Sequence, residues 1–201
     1  MIDTISQKQL LYEYIRVFHS YGSVPPQFIS FIELNNGDSL WRRNNSTGHL
    51  TVSALITDRR AERFLLLYHK GLGKWLQPGG HIESRDRTLL SAVMRETEEE
   101  TGLESGDYDV MSTAKGLYIA DLDSHAIPYT PAKEEPEHFH HDVRFLLRLK
   151  GDYPHVSTNP LESGGYKWAS PDDFPEYFSI EKLAGRLHMY DTVLDICKTK
   201  L

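Results

Sequence analysis

One cysteine, no long apolar run and no surplus of basic residues set the first limits on this sequence of 201 residues. The single Cys197 excludes an internal disulfide and any cysteine-rich zinc site, and it fits a reducing compartment. Its place in a C-terminal helical pattern reads as an ordinary core position. No window approaches the roughly 18 uninterrupted apolar residues of a membrane span, so no membrane association is expected. Met1 to Lys8 carry no basic flank followed by an apolar stretch, so no export signal is expected and the cytoplasm is the expected location. A formal charge of -7 argues against a protein that grips long nucleic acid. A small anionic substrate stays compatible with that charge if a cation supplies positive charge locally. With 39% hydrophobic residues the chain can close one main core, with a small terminal accessory.

Apolar residues recur at helical spacing from Thr4 to Phe18, and the stretch from Gly22 to Pro26 breaks the pattern. A short apolar run, Phe28 to Leu34, predicts a second helix. Residues 1–46 therefore read as a helical extension, expected to serve as an accessory or a homodimer contact, ahead of a main domain over 47–201. From Leu50 the pattern changes: Leu50 to Ile56, Phe64 to Tyr68, Leu117 to Ala120 and Asp142 to Leu149 read as strands. One strong helix, Leu89 to Thr101, is stopped by Gly102 in a C-cap position. A final helix is predicted over Ile180 to Lys200. Strands around a central helix, with another helix at the end, predict an α/β sandwich with a mixed sheet.

The helix end at Arg95-Glu96-Thr97-Glu98-Glu99-Glu100-Thr101-Gly102 packs four glutamates into five positions. Left alone this is unfavourable. Glu96 and Glu100 are a like-charge i, i+4 pair, and the helix dipole disfavours each acid at a C-terminus by roughly 0.3 to 1 kcal/mol. A generic glutamate run is ordinarily a solvated face. At about 100° per residue, however, Leu89, Ala92 and Val93 lie within roughly 40 to 60° of Glu96, with Glu99 and Glu100 flanking it. Glu98 falls on the opposite, polar arc beside Ser91 and Arg95. Three carboxylates continuing an apolar stripe call for a cation, and an all-oxygen set suits a hard divalent one. Upstream, Pro78-Gly79-Gly80 follows a strand expected to end at Pro78, and its loop can offer backbone carbonyls.

Residues 79 to 103 resemble the Nudix box, G-x5-E-x7-R-E-U-x-E-E-x-G-U with U apolar, the signature of the Nudix (MutT-like) hydrolases. The resemblance rests on Gly80, Arg95, Glu96, Glu99, Glu100, Gly102 and Leu103, and spans about an eighth of the chain. Asp86 stands where the family has Glu, one extra residue precedes Arg95, and Thr97 fills an apolar position. The insertion must be absorbed before Leu89. Gly48-His49-Leu50-Thr51, His125-Ala126-Ile127-Pro128 and His140-His141-Asp142-Val143-Arg144-Phe145 look like flanking patterns of Nudix proteins without naming a substrate.

The resemblance implies a Nudix-type α/β/α sandwich and a hydrolase that drives water onto a phosphorus of a nucleoside diphosphate linked to another group. It also implies Mg2+ or Mn2+, with Glu99 and Glu100 as ligands, Glu96 as ligand or orienter of the water, and the Gly79 carbonyl as a further ligand. Arg95 would hold a catalytic glutamate. The general base would be Glu96 or one of Glu134, Glu135 and Glu137. Ten histidines are a noticeable number. His138, His140 and Asp142 would share one strand face, opposite Phe139, Val143 and Phe145, and could line a substrate pocket, hold zinc or be ordinary surface residues. His81, beside the glycines, is a candidate pocket residue. Gly71-Leu72-Gly73-Lys74 lacks the spacing and the following Ser or Thr of a phosphate loop. A nucleotide-binding sensor without catalysis is the alternative reading. A prenyl-diphosphate isomerase would need a catalytic cysteine, and Cys197 is poorly placed for that.

Overall fold

The computed structural model describes residues 4–173 except 21, 114–115, 118, 132–133, 153–154 and 162. The expected helix from Ile180 to Lys200, and Cys197 with it, lie outside the described residues. Helices α1 (Thr4–Phe18) and α2 (Pro26–Leu34) lead into a single 3-10 turn, Gly37–Leu40. Strands β1 (His49–Thr57), β2 (Phe64–His69), β3 (Lys74–Leu76) and β4 (Gly79–His81) precede helix α3 (Leu89–Thr101). After it come β5 (Tyr108–Val110), β6 (Ser112–Thr113), β7 (Gly116–Leu117), β8 (Ile119–Ile127), β9 (His138–Leu149) and β10 (Ser163–Ala169). Among the described residues the main sheet runs β10-β2-β1-β9-β5, with β3 beside β2, β4 beside β1 and β8 beside β9, while β6 and β7 pair separately. The mixed sheet with its helices is an α/β fold, as the strand and helix pattern predicts.

The chain gathers into two compact units, and β1, α3 and β9 each contribute to both. The first comprises Met1–Ser53, Gly80–Val93 and Ser112–Phe145. Here the N-terminal helices are built into the packing rather than standing apart from it. Leu11, Tyr14, Phe18, Phe28 and Ile32 are buried. Tyr14 meets Phe145 edge-on at 5.7 Å, and Phe31 stacks on the His141 ring at 4.1 Å. Strands β8 and β9 pair antiparallel, with Asp123 opposite Asp142 and His125 opposite His140. Gly48 admits no side chain, because a Cβ there would collide with the backbone carbonyl of Phe139. That close approach seats the first residue of β1, His49, against the start of β9. Thr88 opens α3 with reciprocal cap bonds: its Oγ1 accepts from the Ser91 amide, and Ser91 Oγ accepts from the Thr88 amide, both at 2.9 Å. The helix therefore begins at Leu89 despite the inserted residue. The preceding loop absorbs it, with Asp86 buried and its Oδ2 accepting from the Glu83 amide at 2.8 Å.

The second unit comprises Ala54–Gly79, Met94–Met111 and Leu146–Leu201. Its core is the buried run Phe64, Leu65, Leu66 and Leu67 of β2, flanked by antiparallel β10 and β3. The Ala54 amide donates to the Pro78 carbonyl at 2.8 Å, fixing the chain just before Gly79. Helix α3 ends as its sequence demands. The Gly102 amide donates to the Glu98 carbonyl at 2.8 Å with φ +71, and the Ser157 amide satisfies the Thr101 carbonyl at 2.8 Å. A Cβ on Gly102 would lie 3.1 Å from Ser157 Cβ. Gly102→Ala should therefore destabilise the protein by about 1 to 2 kcal/mol, the cost of a left-handed residue with a side chain. Urea unfolding monitored by circular dichroism measures it, and an unchanged midpoint would contradict this account of the cap.

Candidate functional site

In the last turn and a half of α3 the carboxylates and Arg95 organise one another. Arg95 Nη1 lies 2.9 Å from Glu96 Oε1 and 2.9 Å from Glu99 Oε2. The side chains of Arg95 and Glu96 are each only 13% exposed, whereas that of Glu99 is 45% exposed. Glu100 is half-buried, and its Oε2 accepts the Gly79 N–H at 2.9 Å. Glu98 is exposed, in keeping with the polar arc. Two placements differ from the helical projection. Arg95, expected on the polar arc beside Glu98, is largely buried, because its long side chain carries the guanidinium back onto carboxylates at i+1 and i+4. Glu99, expected to continue the apolar stripe, is partly in solvent, since a long side chain in the last turn reaches past the helix end. The loop meets the acids through the Gly79 amide, a contact separate from the one expected of the Gly79 carbonyl. Among the loop glutamates, Glu134 and Glu137 are exposed, and Glu135 stands 3.7 Å from the Arg43 guanidinium.

The first unit holds a second polar group that sequence patterns indicated only in part. Side chains of β1 at 49, 51 and 53 meet side chains of β9 at 138, 140 and 142, and β9 at 140 and 144 in turn meets β8 at 121, 123 and 125. His49 is fully buried, and its ring lies 4.7 Å from that of His140, 5.0 Å from His138 and 5.1 Å from His81. The expected companions His81, His138 and His140 are thus brought together around His49. His138 Nδ1 donates to the Pro136 carbonyl at 2.7 Å, which leaves Nε2 as the ring's acceptor. Burial, reinforced by His138 and Arg43, pushes the His49 imidazole down to about 4. Burial and the surrounding His49, His81, His125 and His138 push His140 down to about 2. His141 is lowered to about 4, chiefly by burial, and hydrogen-bonds Ser124 Oγ through Nδ1 at 2.8 Å. Phe139 departs from the expected alternation: it is exposed, while His141 takes the buried place against Phe28 and Phe31.

Further along the same face, Arg144 is the hub. Its Nε donates to Asp142 Oδ2 at 3.0 Å, Nη1 to Asp121 Oδ2 at 2.5 Å and Nη2 to Asp123 Oδ2 at 2.8 Å. Asp142 also accepts from Thr51 Oγ1 at 3.0 Å and from Ser53 Oγ at 2.6 Å. Burial opposes the Arg144 charge, but its three carboxylates outweigh burial and hold it well above the ordinary arginine value. Burial raises the Asp121 carboxyl above the usual carboxylate range, despite Arg144. Burial would raise Asp123 too, yet the His125 hydrogen bond and Arg144 hold it well below that range.

The NUDIX domain family model matches residues 47–189, well over half of the chain. The chain belongs to the Nudix family. It is 25% identical over 157 residues to "Probable DHNTP pyrophosphohydrolase" of Lactococcus lactis subsp. cremoris strain MG1363, covering 78% of this chain and 89% of that protein. A Nudix-family hydrolase structure from Clostridium perfringens matches with TM-score 0.53 at 24% identity, covering 72% of this chain and 97% of the other. The E. coli dihydroneopterin triphosphate pyrophosphohydrolase matches with TM-score 0.54 at 15% identity, covering 77% and 97%. These structures share the fold. The resemblance first drawn from the box residues thus identifies a Nudix enzyme, and the box supplies the Arg95 and glutamate group. What sequence reasoning missed is the hub: Arg144, Asp121 and Asp123 with the Asp142 bonds, and His49 at the centre of the histidines. The readable signal was polar residues at every second position of apolar strands.

Two outcomes follow for this Nudix protein. Arg144→Met leaves three carboxylates without their cation and should cost about 3 to 5 kcal/mol. The loss should be larger at pH 8 than at pH 5, where protonation relieves the acids; equal losses by urea unfolding would contradict the hub. Because the folded-state values of His49, His140 and His141 lie below the ordinary histidine value, the unfolded chain binds more protons as pH falls through about 6.5. Their stabilising contribution is complete above that pH and is lost progressively toward about 4 for His49 and His141 and toward about 2 for His140. The Tm should fall on acidification across this window, and a Tm that rises there would overturn the assignment of neutral buried imidazoles.

Proposed function

We propose that this Nudix enzyme is a metal-dependent hydrolase that cleaves a diphosphate linkage in a nucleoside diphosphate joined to another group. The domain carrying this activity is assigned to residues 47–201, with 1–46 as a helical extension; the family match beginning at residue 47 supports that division. The observation that carries the reading is the acidic helix end itself, where Arg95 bridges Glu96 and Glu99 and Glu100 is tied to the Gly79 amide.

The donor chemistry fits Mg2+ or Mn2+. Glu96, Glu99 and Glu100 offer hard oxygen donors, and two of them are drawn out of full solvent contact while keeping charge-stabilising partners. Bound there, the metal would neutralise the diphosphate and lower the pKa of water. The chain's own groups do the positioning. The Gly79 N–H fixes one oxygen of Glu100. Arg95 aligns Glu96 and Glu99, its single Nη1 bridging the two carboxylates. Glu96, the less exposed of that pair, is the assigned general base. In the reaction a water oxygen forms a bond to phosphorus, the anhydride P–O bond breaks, and the leaving phosphate keeps the electron pair. The water proton passes to Glu96.

The names of the relatives, a probable DHNTP pyrophosphohydrolase and a dihydroneopterin triphosphate pyrophosphohydrolase, belong to those proteins and set part of the panel to try. Nucleotide sugars, dinucleoside polyphosphates, CDP-alcohols, nucleoside triphosphates and dihydroneopterin triphosphate should be offered with Mg2+ and with Mn2+, and products separated by chromatography. On the substrate found, Glu99→Gln should lower kcat/KM by about 100-fold or more, equivalent to about 2.7 kcal/mol. Glu98→Gln should leave it unchanged, and the fold of both should persist by circular dichroism. Retained turnover in a folded Glu99→Gln protein would sink the metal assignment.

A further inference from the structure

We propose that His49, His138 and His140 form a second cation site, one that takes a borderline divalent transition ion of the zinc class. The three side chains each present a ring nitrogen such that the nitrogens all lie within 4.8 Å of one another. A tetrahedral zinc with bonds of ~2.1 Å needs its ligand nitrogens ~3.4 Å apart, so closing the site takes ring movements on the order of 1 Å. Among the described residues neither nitrogen of His49 has a hydrogen-bond partner although the residue is fully buried, and the same holds for Nε2 of His138, which is 6% exposed. Each such buried acceptor or donor left unmade costs about 1 to 3 kcal/mol. A metal removes that penalty at one nitrogen of His49 and at Nε2 of His138.

The ligand set is also prepared in the way metal-binding histidines ordinarily are. His138 is held by Nδ1–H donation to the Pro136 carbonyl, which fixes its tautomer and leaves Nε2 with its lone pair directed elsewhere. Burial keeps His49 and His140 neutral at physiological pH, the form that ligates. Imidazole donors select zinc, copper, nickel or cobalt over magnesium and calcium, so this site does not compete for the hard ion assigned to the glutamates. A substrate-lining role for His138 and His140 would account for the half-exposed His140. It does not account for His49, which a bulky ligand cannot reach at zero exposure.

The test uses the untagged full-length protein, stripped with a chelator and titrated with Zn2+ against a chromophoric competitor and, separately, with Co2+. One equivalent should bind at micromolar affinity or tighter, and Co2+ should give the visible bands of a low-coordinate site. His140→Gln, which replaces the least buried ligand, and His138→Gln should each weaken binding at least 10-fold with Tm retained. Glu99→Gln should bind as wild type, so the outcome is independent of whether the hydrolase reading holds. In the wild-type protein, imidazole 15N resonances of His49 and His138 should move with the first equivalent of Zn2+, a readout that does not depend on any variant folding. The proposal is overturned if no stoichiometric ion binds, if binding survives in both folded histidine variants, or if those resonances stay still. It is equally overturned if Glu99→Gln abolishes binding, or if His140→Gln raises only the KM for a substrate.

Discussion

Strand β1 is buried along its whole length, and β9 is buried at nearly every position. Strands so enclosed ordinarily read as unbroken apolar runs. Here the first half of β1 alternates His49, Thr51 and Ser53 with Leu50, Val52 and Ala54, and β9 alternates His138, His140, Asp142 and Arg144 with His141, Val143 and Phe145. Burying that polar row is the constraint on which the rest of the first unit depends. Arg144 answers it with one bond from each of its three nitrogens to three carboxylates, and Thr51 and Ser53 occupy both oxygens of Asp142. Asp121 and Asp123 can serve only because β8 pairs in the register that sets them opposite Arg144 and Asp142. A shift by one residue would turn every one of these groups to the other face. The polar network therefore specifies register as much as it contributes stability. The close approach of Gly48 to Phe139 fixes where that register begins.

The acidic end of α3 meets a different version of the same constraint. Its charges stand at the unfavourable end of the helix dipole, and the helix cannot move them without losing the cap formed by Gly102 and Ser157. Arg95 supplies the local compensation, and the Gly79 amide supplies it for Glu100. Charge-assisted bonds of this kind are short and strong, so they hold the carboxylate oxygens in place at the helix end.

Local sequence carried the long elements well. Helix α3 runs from Leu89 to Thr101 because the Thr88 cap, the 3.6-residue apolar spacing and Gly102 all agree, and α1 occupies the stretch its periodicity marks. The two- and three-residue strands β3 to β7 have no periodicity to read, since they exist only through their partners. Strand β10 hides behind Ser163-Gly164-Gly165, a turn-like opening that pairing with β2 overrides through an irregular register. Side-chain tips were the other blind spot. A helical projection fixes Cα–Cβ directions, so it located Glu96 and Glu98 but not the guanidinium of Arg95, which lies several bonds from its Cβ. The histidine row was visible on β9 as alternation; His49, its centre, could be found only by knowing which strand lies beside β9.

Donor chemistry separates the two polar groups of this chain further than their shared reliance on buried charge suggests. Carboxylate oxygens such as those Arg95 aligns on α3 suit small, strongly hydrated ions. Imidazoles ligate in the neutral form that burial enforces at His49 and His140, so protons do not compete for them near neutral pH. Desolvation acts in opposite senses on the two donor types: in general it disfavours a charged carboxylate, and at His49 and His140 it secures the neutral imidazole. An ion that exchanges freely at one set meets the wrong donor hardness at the other. With both proposed sites filled, sorting two metals in one polypeptide would require no selectivity beyond the choice of oxygen on α3 and nitrogen on β1 and β9.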